Sequence, residues 1–393
     1  MPKAPGVGTP ASMRELNQRA VLERLRAGGA ATRPRIAADT GLSKPTVGQA
    51  LLDLEQHGLV RTAGRTVAGP GRAAVVYEVN PAAGYVLGVD IGRGLIRAAV
   101  ADLSGDVVAR LDRPNKARSS SALLRTVRDC AEEAVGAARL RLPELVATVV
   151  GTPGVPDPSS ATLHQAPNLP GWERTGLLNE LRLVMGTDLI VENDANLAAI
   201  GEHEAGAARG VDVFVCLTVG TGIGMGIVVN GSLFRGAHGA AGEVGYLPYG
   251  WPPPGTPPRQ GRLESAAAAD SVVALAAEQG LSVPTAKEVF ELAREGDQRA
   301  LRVVEEEAER LAFVVSSVTA VIDPALVVLG GGIGKNIDLL AEPLNRALAN
   351  ATPLRPEIVP SQLGEEAALT GAITIAVRTA RDVVFDRRAA GGN

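Results

Sequence analysis

Lys44, Thr46 and Gln49, in "LSKPTVGQALLDLEQHG", fall together at the start of a helical pattern. Their ammonium, hydroxyl and carboxamide groups suit phosphates and base edges, and a glutamine carboxamide can pair with adenine through two hydrogen bonds. Arg61, Arg65 and Arg72 follow in "RTAGRTVAGPGR", where guanidinium groups would reach the backbone or the minor groove of a duplex. A different chemistry is suggested by "GVDIGRGLIR", "TVGTGIGMG" and "LGGGIGKN". Each reads as a strand running into a glycine turn of the kind that brings backbone N–H groups to a phosphate. Tight turns also need glycine for their backbone alone, so the glycines leave both readings open.

The first set needs a helix-turn-helix to present it. "RELNQRAVLERLRAGG" places Leu16, Ala20, Leu22 or Glu23, and Leu25 near helical spacing and stops at Gly28-Gly29, as a helix end does. A short helix with Ile36, Ala37 and Thr40 then turns at Gly41, and a further helix opens at Ser43, a good N-cap, with Pro45 tolerated in its first turn. Val47, Leu51 and Leu54 form its buried stripe, leaving Lys44, Thr46 and Gln49 on the face that would enter the major groove. "GLVRTAGRTVAGPGRAAVVYEVN" predicts two strands around an arginine-bearing tip, a wing.

Charge agrees with this division. Residues 1–80 carry eleven Lys/Arg against six Asp/Glu, while the whole 393-residue chain has a formal charge of −4, so a basic reader is joined to an acidic body. The length exceeds what one core usually serves, and two or three domains are expected. No run of about eighteen apolar residues and no signal-like N-terminus occur, so a cytoplasmic protein without membrane contact is expected. Cys130 and Cys216 are the only cysteines and supply neither a disulfide framework nor a cysteine zinc site.

After Asn80-Pro81 the pattern changes. "GYVLGVDIG", "GLIRAAVADLSG" and "DVVARLDRP" predict strands, "KARSSSALLRTVRDCAEEAVGAARL" a long helix, and "ELVATVVGTPGVP" another buried strand. Strand, glycine turn and strand recur in "VDVFVCLTVGTGIGMGIVVNGSLF". This is an α/β pattern with two similar lobes around a cleft.

The order "GVDIG", "GTPG", "APNLPGW", "VENDANLAAIGE", "TVGTGIGMGIVVNGSLFRGAHGAAGEVGY" and "VVLGGGIGKN" resembles the ROK family of bacterial repressors and sugar kinases, from about Gly84 onward. The resemblance implies a two-lobed actin-like, ribonuclease-H-like body, and the winged helix-turn-helix before it is similar to the repressor branch, whose members respond to xylose, glucose or N-acetylglucosamine. The expected boundaries are a head over 1–80, a small lobe over 84–195 completed by a C-terminal helix over 366–390, and a large lobe over 196–365. Asn168, Asn193, Asp194 and Glu243 match the family's sugar-contacting positions, and Glu264 matches a fifth. Such residues suit a ring of hydroxyls, which must be met by donors and acceptors together. In a kinase of this family Asp194 would be the general base; a helix cap is the other role its position suggests.

The departures from the family carry as much information. Kinases have "DIGGTK" where this chain has "DIGRGLIR": Arg93 adds bulk on the phosphate side and Gly94 lacks a hydroxyl, with Asp90 retained. The family's zinc-binding histidine is replaced by Tyr246, which offers a hydroxyl or a stacking face. Its cysteine segment is replaced by the cysteine-free "LPYGWPPPGTPPRQGRLES", and His238 lies eight residues before Tyr246. No metal, no cofactor and no catalytic residue are therefore expected, Asp194 being a vestigial base. The resemblance implies a sugar-responsive regulator acting as a homodimer or homotetramer on a palindromic operator. The alternatives are an ATP-dependent sugar kinase with an attached DNA-binding domain, or a regulator that answers to a phosphosugar or a protein partner.

Overall fold

The structure is a computed structural model describing residues 10–66, 73–157, 159–166, 169–186, 189–250 and 261–390. The chain divides into two compact units. One holds Met1–Val86, Ala101–Asp106 and Val377–Asn393, the other Leu87–Val100 and Val107–Ala376.

The first unit is built on α1 (Pro10–Gly28), α2 (Arg33–Thr40) and α3 (Lys44–Gln56), with β1 (Ala31–Thr32), β2 (Val60–Thr66) and β3 (Ala74–Val79) in an antiparallel sheet of order β1-β3-β2. Gly41 closes α2 in the left-handed region, φ 71°, and its N–H reaches Ala37 O at 3.1 Å, a conformation that glycine enters without a Cβ penalty. Ser43 caps α3 by accepting the Thr46 N–H at 3.2 Å, an interaction worth about 1 kcal/mol. Val21, Leu22, Leu25, Ile36, Val47, Leu51 and Leu54 form the buried core, each contributing about 1.5–3 kcal/mol relative to exposure. Leu16 does not join them: it is 61% exposed, and the inner face of α1 runs through Gln18, Val21, Leu22 and Leu25 instead. Gln18 is buried there because its amide donates to Asp53 at 2.9 Å.

In the body the first sheet comprises β4 (Tyr85–Ile91), β5 (Leu95–Asp102), β6 (Val107–Pro114), β7 (Ala147–Thr152) and β10 (Leu189–Asn193). Helix α4 (Ser120–Ala137), the ribbon β8 (Val155–Asp157) and β9 (Thr162–His164), α5 (Leu177–Met185) and α6 (Asp194–Ala205) accompany it. The second sheet comprises β11 (Val213–Val219), β12 (Ile223–Val229), β13 (Ser232–Leu233), β14 (Leu326–Gly330) and β15 (Glu357–Pro360). Its helices are α7 (Arg262–Ala267), α8 (Ala269–Glu278), α9 (Ala286–Arg294), α10 (Gln298–Ile322), α11 (Gly331–Gly334) and α12 (Ile337–Ala351). The chain closes with α13 (Ala367–Ala390).

The sheet orders are β6-β5-β4-β7-β10 and β13-β12-β11-β14-β15. Each is a run of three successive strands extended on one side by two later ones, so the two-lobed reading of the repeated strand–glycine–strand pattern holds in the topology. The added strands pair in parallel in β7–β10, β11–β14 and β14–β15. Strands β4, β5 and β7 are buried almost throughout, which is why they read as continuous apolar runs rather than alternating ones. The α/β class and the winged helix-turn-helix before it are as the sequence implies.

Candidate functional site

The head presents its polar residues as the helix pattern requires. Lys44 and Gln49 are exposed at the start of α3, whereas Thr46 is half-buried and shares a 2.7 Å hydrogen bond with Ser43 Oγ. Gln49 Nε2 donates to Asp53 Oδ1 at 2.8 Å, so its carboxamide is held in one orientation one turn before Asp53. Arg61 and Arg65 are exposed on β2, Arg61 paired with Glu78 at 2.7 Å. Arg72 lies outside the described residues. Sequence reasoning missed Arg33. Gly48 on α3 is buried, and a Cβ built there would lie 3.3 Å from the Arg33 guanidinium. The glycine thus makes room for the Arg33 guanidinium against α3, and a glycine inside an otherwise regular recognition helix was the available signal.

The second site is a cleft of about 260 Å³ in the body. Asn193, Asp194, Glu243, Tyr246 and Glu264 line it together, with Gly220, Thr221, Gly222 and Gly331 on one part of its wall and Gly92 and Arg93 on another. Asn168 lies outside the described residues. Among the described residues on either side of it, Glu173 accepts the Ala166 N–H at 2.8 Å, and the fully buried Trp172 donates Nε1–H to Thr152 Oγ1 at 2.7 Å.

Helix α6 positions the central pair. Its N-cap is Asn193, whose Oδ1 accepts from Ala195 N at 2.9 Å and Asn196 N at 3.2 Å, while Nδ2 donates to Gly154 O at 3.2 Å. The capping role therefore falls mainly on Asn193, and Asp194, the first helical residue, accepts the Ala195 N–H at 2.9 Å. Behind them the buried Glu192 accepts Asn193 N at 3.0 Å, Asn196 Nδ2 at 2.9 Å and the Arg235 guanidinium at 2.8 Å. Glycines bring α6 down onto β12: a Cβ on Gly224 would lie 2.8 Å from Ala195 Cβ, and one on Gly226 would lie 2.5 Å from Ala199 Cβ. Gly331 has φ 80° and a Cβ there would strike Val219 O. These three glycines are explained by packing and turn geometry, without a phosphate.

Carboxyl groups crowd the cleft. Burial pushes Glu243 up to about 7, with Asp194 and Glu264 adding like charge. Burial likewise raises Asp194 and Glu264, the latter accepting the Ile223 N–H at 3.2 Å. An array of this kind accepts hydrogen bonds from hydroxyls when ionised and donates one per protonated group.

The phosphate-side loop differs. Asp90 is buried, and Arg97 Nη1 donates to its Oδ2 at 3.0 Å while Nη2 donates to Glu365 at 2.6 Å. Burial still pushes Asp90 up to about 7, with Asp194 adding to the rise and Arg97 opposing it. Asp90 is therefore one end of a buried ion pair. Arg93, which lines the cleft, is exposed, and Gly94 next to it has open space around it.

The family's structural zinc does not fit these residues. Tyr246 stands at the histidine position, residues 247–265 contain no cysteine, and Cys130 and Cys216 are buried in α4 and β11 with thiols pushed up by burial. Among the described residues no group of three His, Cys, Asp or Glu side chains is gathered to hold an ion.

Comparison with known proteins places this geometry. The sequence model of the ROK family matches residues 86–379, and that of the IclR helix-turn-helix domain matches residues 20–64. A glucokinase of Halalkalibacterium halodurans is 31% identical over 281 residues, 67% of this chain and 84% of that protein. A xylose repressor of Caldicellulosiruptor bescii is 26% identical over 392 residues, 94% of this chain and 98% of the repressor. Among solved structures, a ROK family transcriptional regulator, a homolog of the E. coli MLC protein, superposes with a TM-score of 0.77 at 20% identity over 97% of this chain and 100% of the other. That last likeness concerns the fold.

Proposed function

The chain belongs to the ROK family, with a helix-turn-helix head, and on that premise we propose that it is a sugar-responsive transcriptional regulator without kinase activity. It acts in the cytoplasm as a repressor of carbohydrate genes. Lys44, Thr46, Gln49, Arg61, Arg65 and Arg72 meet the DNA, and Asn168, Asn193, Asp194, Glu243, Tyr246 and Glu264 meet the sugar. One winged head reads few base pairs, so a homodimer or homotetramer on a palindromic operator is the working form.

The observation that carries this reading is the unequal state of the cleft. Its acceptor side keeps Asp194, Glu243 and Glu264 around one space, while on the phosphate side Asp90 is paired with Arg97 and Arg93 replaces a small residue. Sugar binding then selects one arrangement of the regulator and shifts its affinity for DNA by linkage.

The alternative, an ATP-dependent sugar kinase with a DNA-binding head, draws on the glucokinase relative and on the presence of Asp194. Both are tested by ADP release over a sugar panel, alongside calorimetric sugar binding. A regulator binds a sugar without turnover, and Asp194→Asn weakens that binding by roughly 1.5–3 kcal/mol through loss of one charge-assisted hydrogen bond. Sugar-dependent ADP release by the parent, abolished by Asp194→Asn, would establish the kinase instead, because the same change removes its general base.

A further inference from the structure

The helix that carries Asp194 and the helix that closes the chain meet backbone to backbone. A Cβ on Gly201 of α6 would strike Ala367 O and lie 3.2 Å from Gly371 N, and one on Gly371 of α13 would strike Leu197 O and lie 3.0 Å from Leu197 Cα. No side chain separates the two helices at this crossing. One residue further along α6, the fully buried Glu202 accepts Ala207 N at 2.8 Å, Leu363 N at 3.0 Å, Gln362 N at 3.3 Å and the Ser361 hydroxyl at 2.5 Å. The end of α6 is thereby tied to the segment that leads into α13. Close-packed contacts of this kind transmit a shift of one element to the next, since the interior has no slack to absorb it.

The same α13 continues into the DNA-binding unit and is held there by charge. Arg388 donates to His57 O, at the C-terminus of α3, at 2.7 Å, and to Ala83 O at 2.5 Å. A cation at that helix end also complements its dipole. Asp386 pairs with Arg19 of α1 at 2.6 Å, and the Arg19 guanidinium lies 4.6 Å from the Phe385 ring centroid. Arg381 donates to Leu103 O at 2.8 Å while its own carbonyl accepts from Arg26 at 3.3 Å.

We propose that α13 is the element through which sugar occupancy at the N-terminus of α6 reaches the recognition helix α3, with Gly201–Gly371 as its input contact and Arg388–His57 as its output. The proposal rests on the sugar-responsive reading. It requires only that α13 remain a stiff helix between residues 371 and 381.

The test softens that stretch without touching either contact. Arg378→Gly with Thr379→Gly, in the full-length chain, places two helix-weakening residues between them. Operator affinity is measured with and without D-xylose, D-glucose and N-acetyl-D-glucosamine, using an operator fragment selected from genomic DNA, and sugar affinity is measured by calorimetry. In the parent the responsive sugar changes operator affinity by about fivefold or more; in the variant both ligands still bind and that factor falls to within about twofold of one. An unchanged factor overturns the proposal and leaves the sugar-responsive reading standing. A parent that answers to none of the sugars overturns both. Should the variant fail to fold, hydrogen exchange in the parent decides. Sugar-dependent protection of amides in 377–390 and in the last turn of α3 supports the proposal, and identical exchange there with and without the responsive sugar overturns it.

Discussion

At the residue scale the two sites use carboxamides and carboxylates differently. In the head, Gln49 is pinned by Asp53, so on the proposed reading its carboxamide would meet DNA in a preset orientation. Gln49→Ala should relax preference at one base pair per half-site by about 1–3 kcal/mol, read by binding to a panel of operator variants; an equal loss on all sequences would assign it to backbone contact instead. In the cleft, Glu243 is held up to about 7 by burial and by Asp194 and Glu264. A sugar hydroxyl donates to the ionised form, so sugar affinity should rise as pH is raised through about 7, and Glu243→Gln should flatten that rise. The linked effect on folding has the opposite sign. A carboxyl whose folded value is raised binds protons more tightly folded than unfolded, so its contribution to stability falls between the unfolded value and about 7 as pH rises. Much of this site was legible in the sequence, because Asn193, Asp194, Glu243 and Glu264 sit in motifs whose order can be read. The pairing of Arg97 with Asp90 and Glu365 was not, since Glu365 lies 268 residues from Arg97 and no local pattern announces a buried ion pair.

At the element scale, what was legible is what short-range physics decides. Gly41, the Ser43 cap and the Val47–Leu51–Leu54 stripe specify α2, the turn and α3 within a few residues of chain. Leu16 shows the limit: helical spacing alone cannot tell which face of α1 meets the core, and that face runs through Gln18, which is bonded to Asp53, rather than through Leu16. The glycines of β12 looked like ligand loops or turns, and in the structure they pack against α6, Gly224 also lining the cleft. Gly226→Ala should therefore force α6 off the sheet and cost about 1–3 kcal/mol of stability, as overpacking does. Thermal unfolding with and without sugar measures this, and the variant should also lose sugar affinity because Asn193 and Asp194 move with the helix. An unperturbed melting temperature would show that the contact is not tight.

At the scale of the whole molecule, a basic head and an acidic body are joined in one chain whose last helix belongs to both units. Composition made the head's charge visible, and the repeated strand–glycine–strand pattern made the two lobes visible. The sharing of α13 between units was invisible, because its glycine and arginine contacts join segments hundreds of residues apart. On the proposed reading, the chain is a sugar cleft, relieved of phosphate chemistry, in the service of a DNA reader. Operator affinity measured with and without saturating sugar, at a fixed salt concentration since phosphate contacts make binding salt-dependent, tests that claim most directly. The account predicts that one sugar changes the affinity by about fivefold or more, saturably, and that DNA changes the affinity for that sugar by the same factor. Operator affinity indifferent to every sugar that the cleft binds would contradict it.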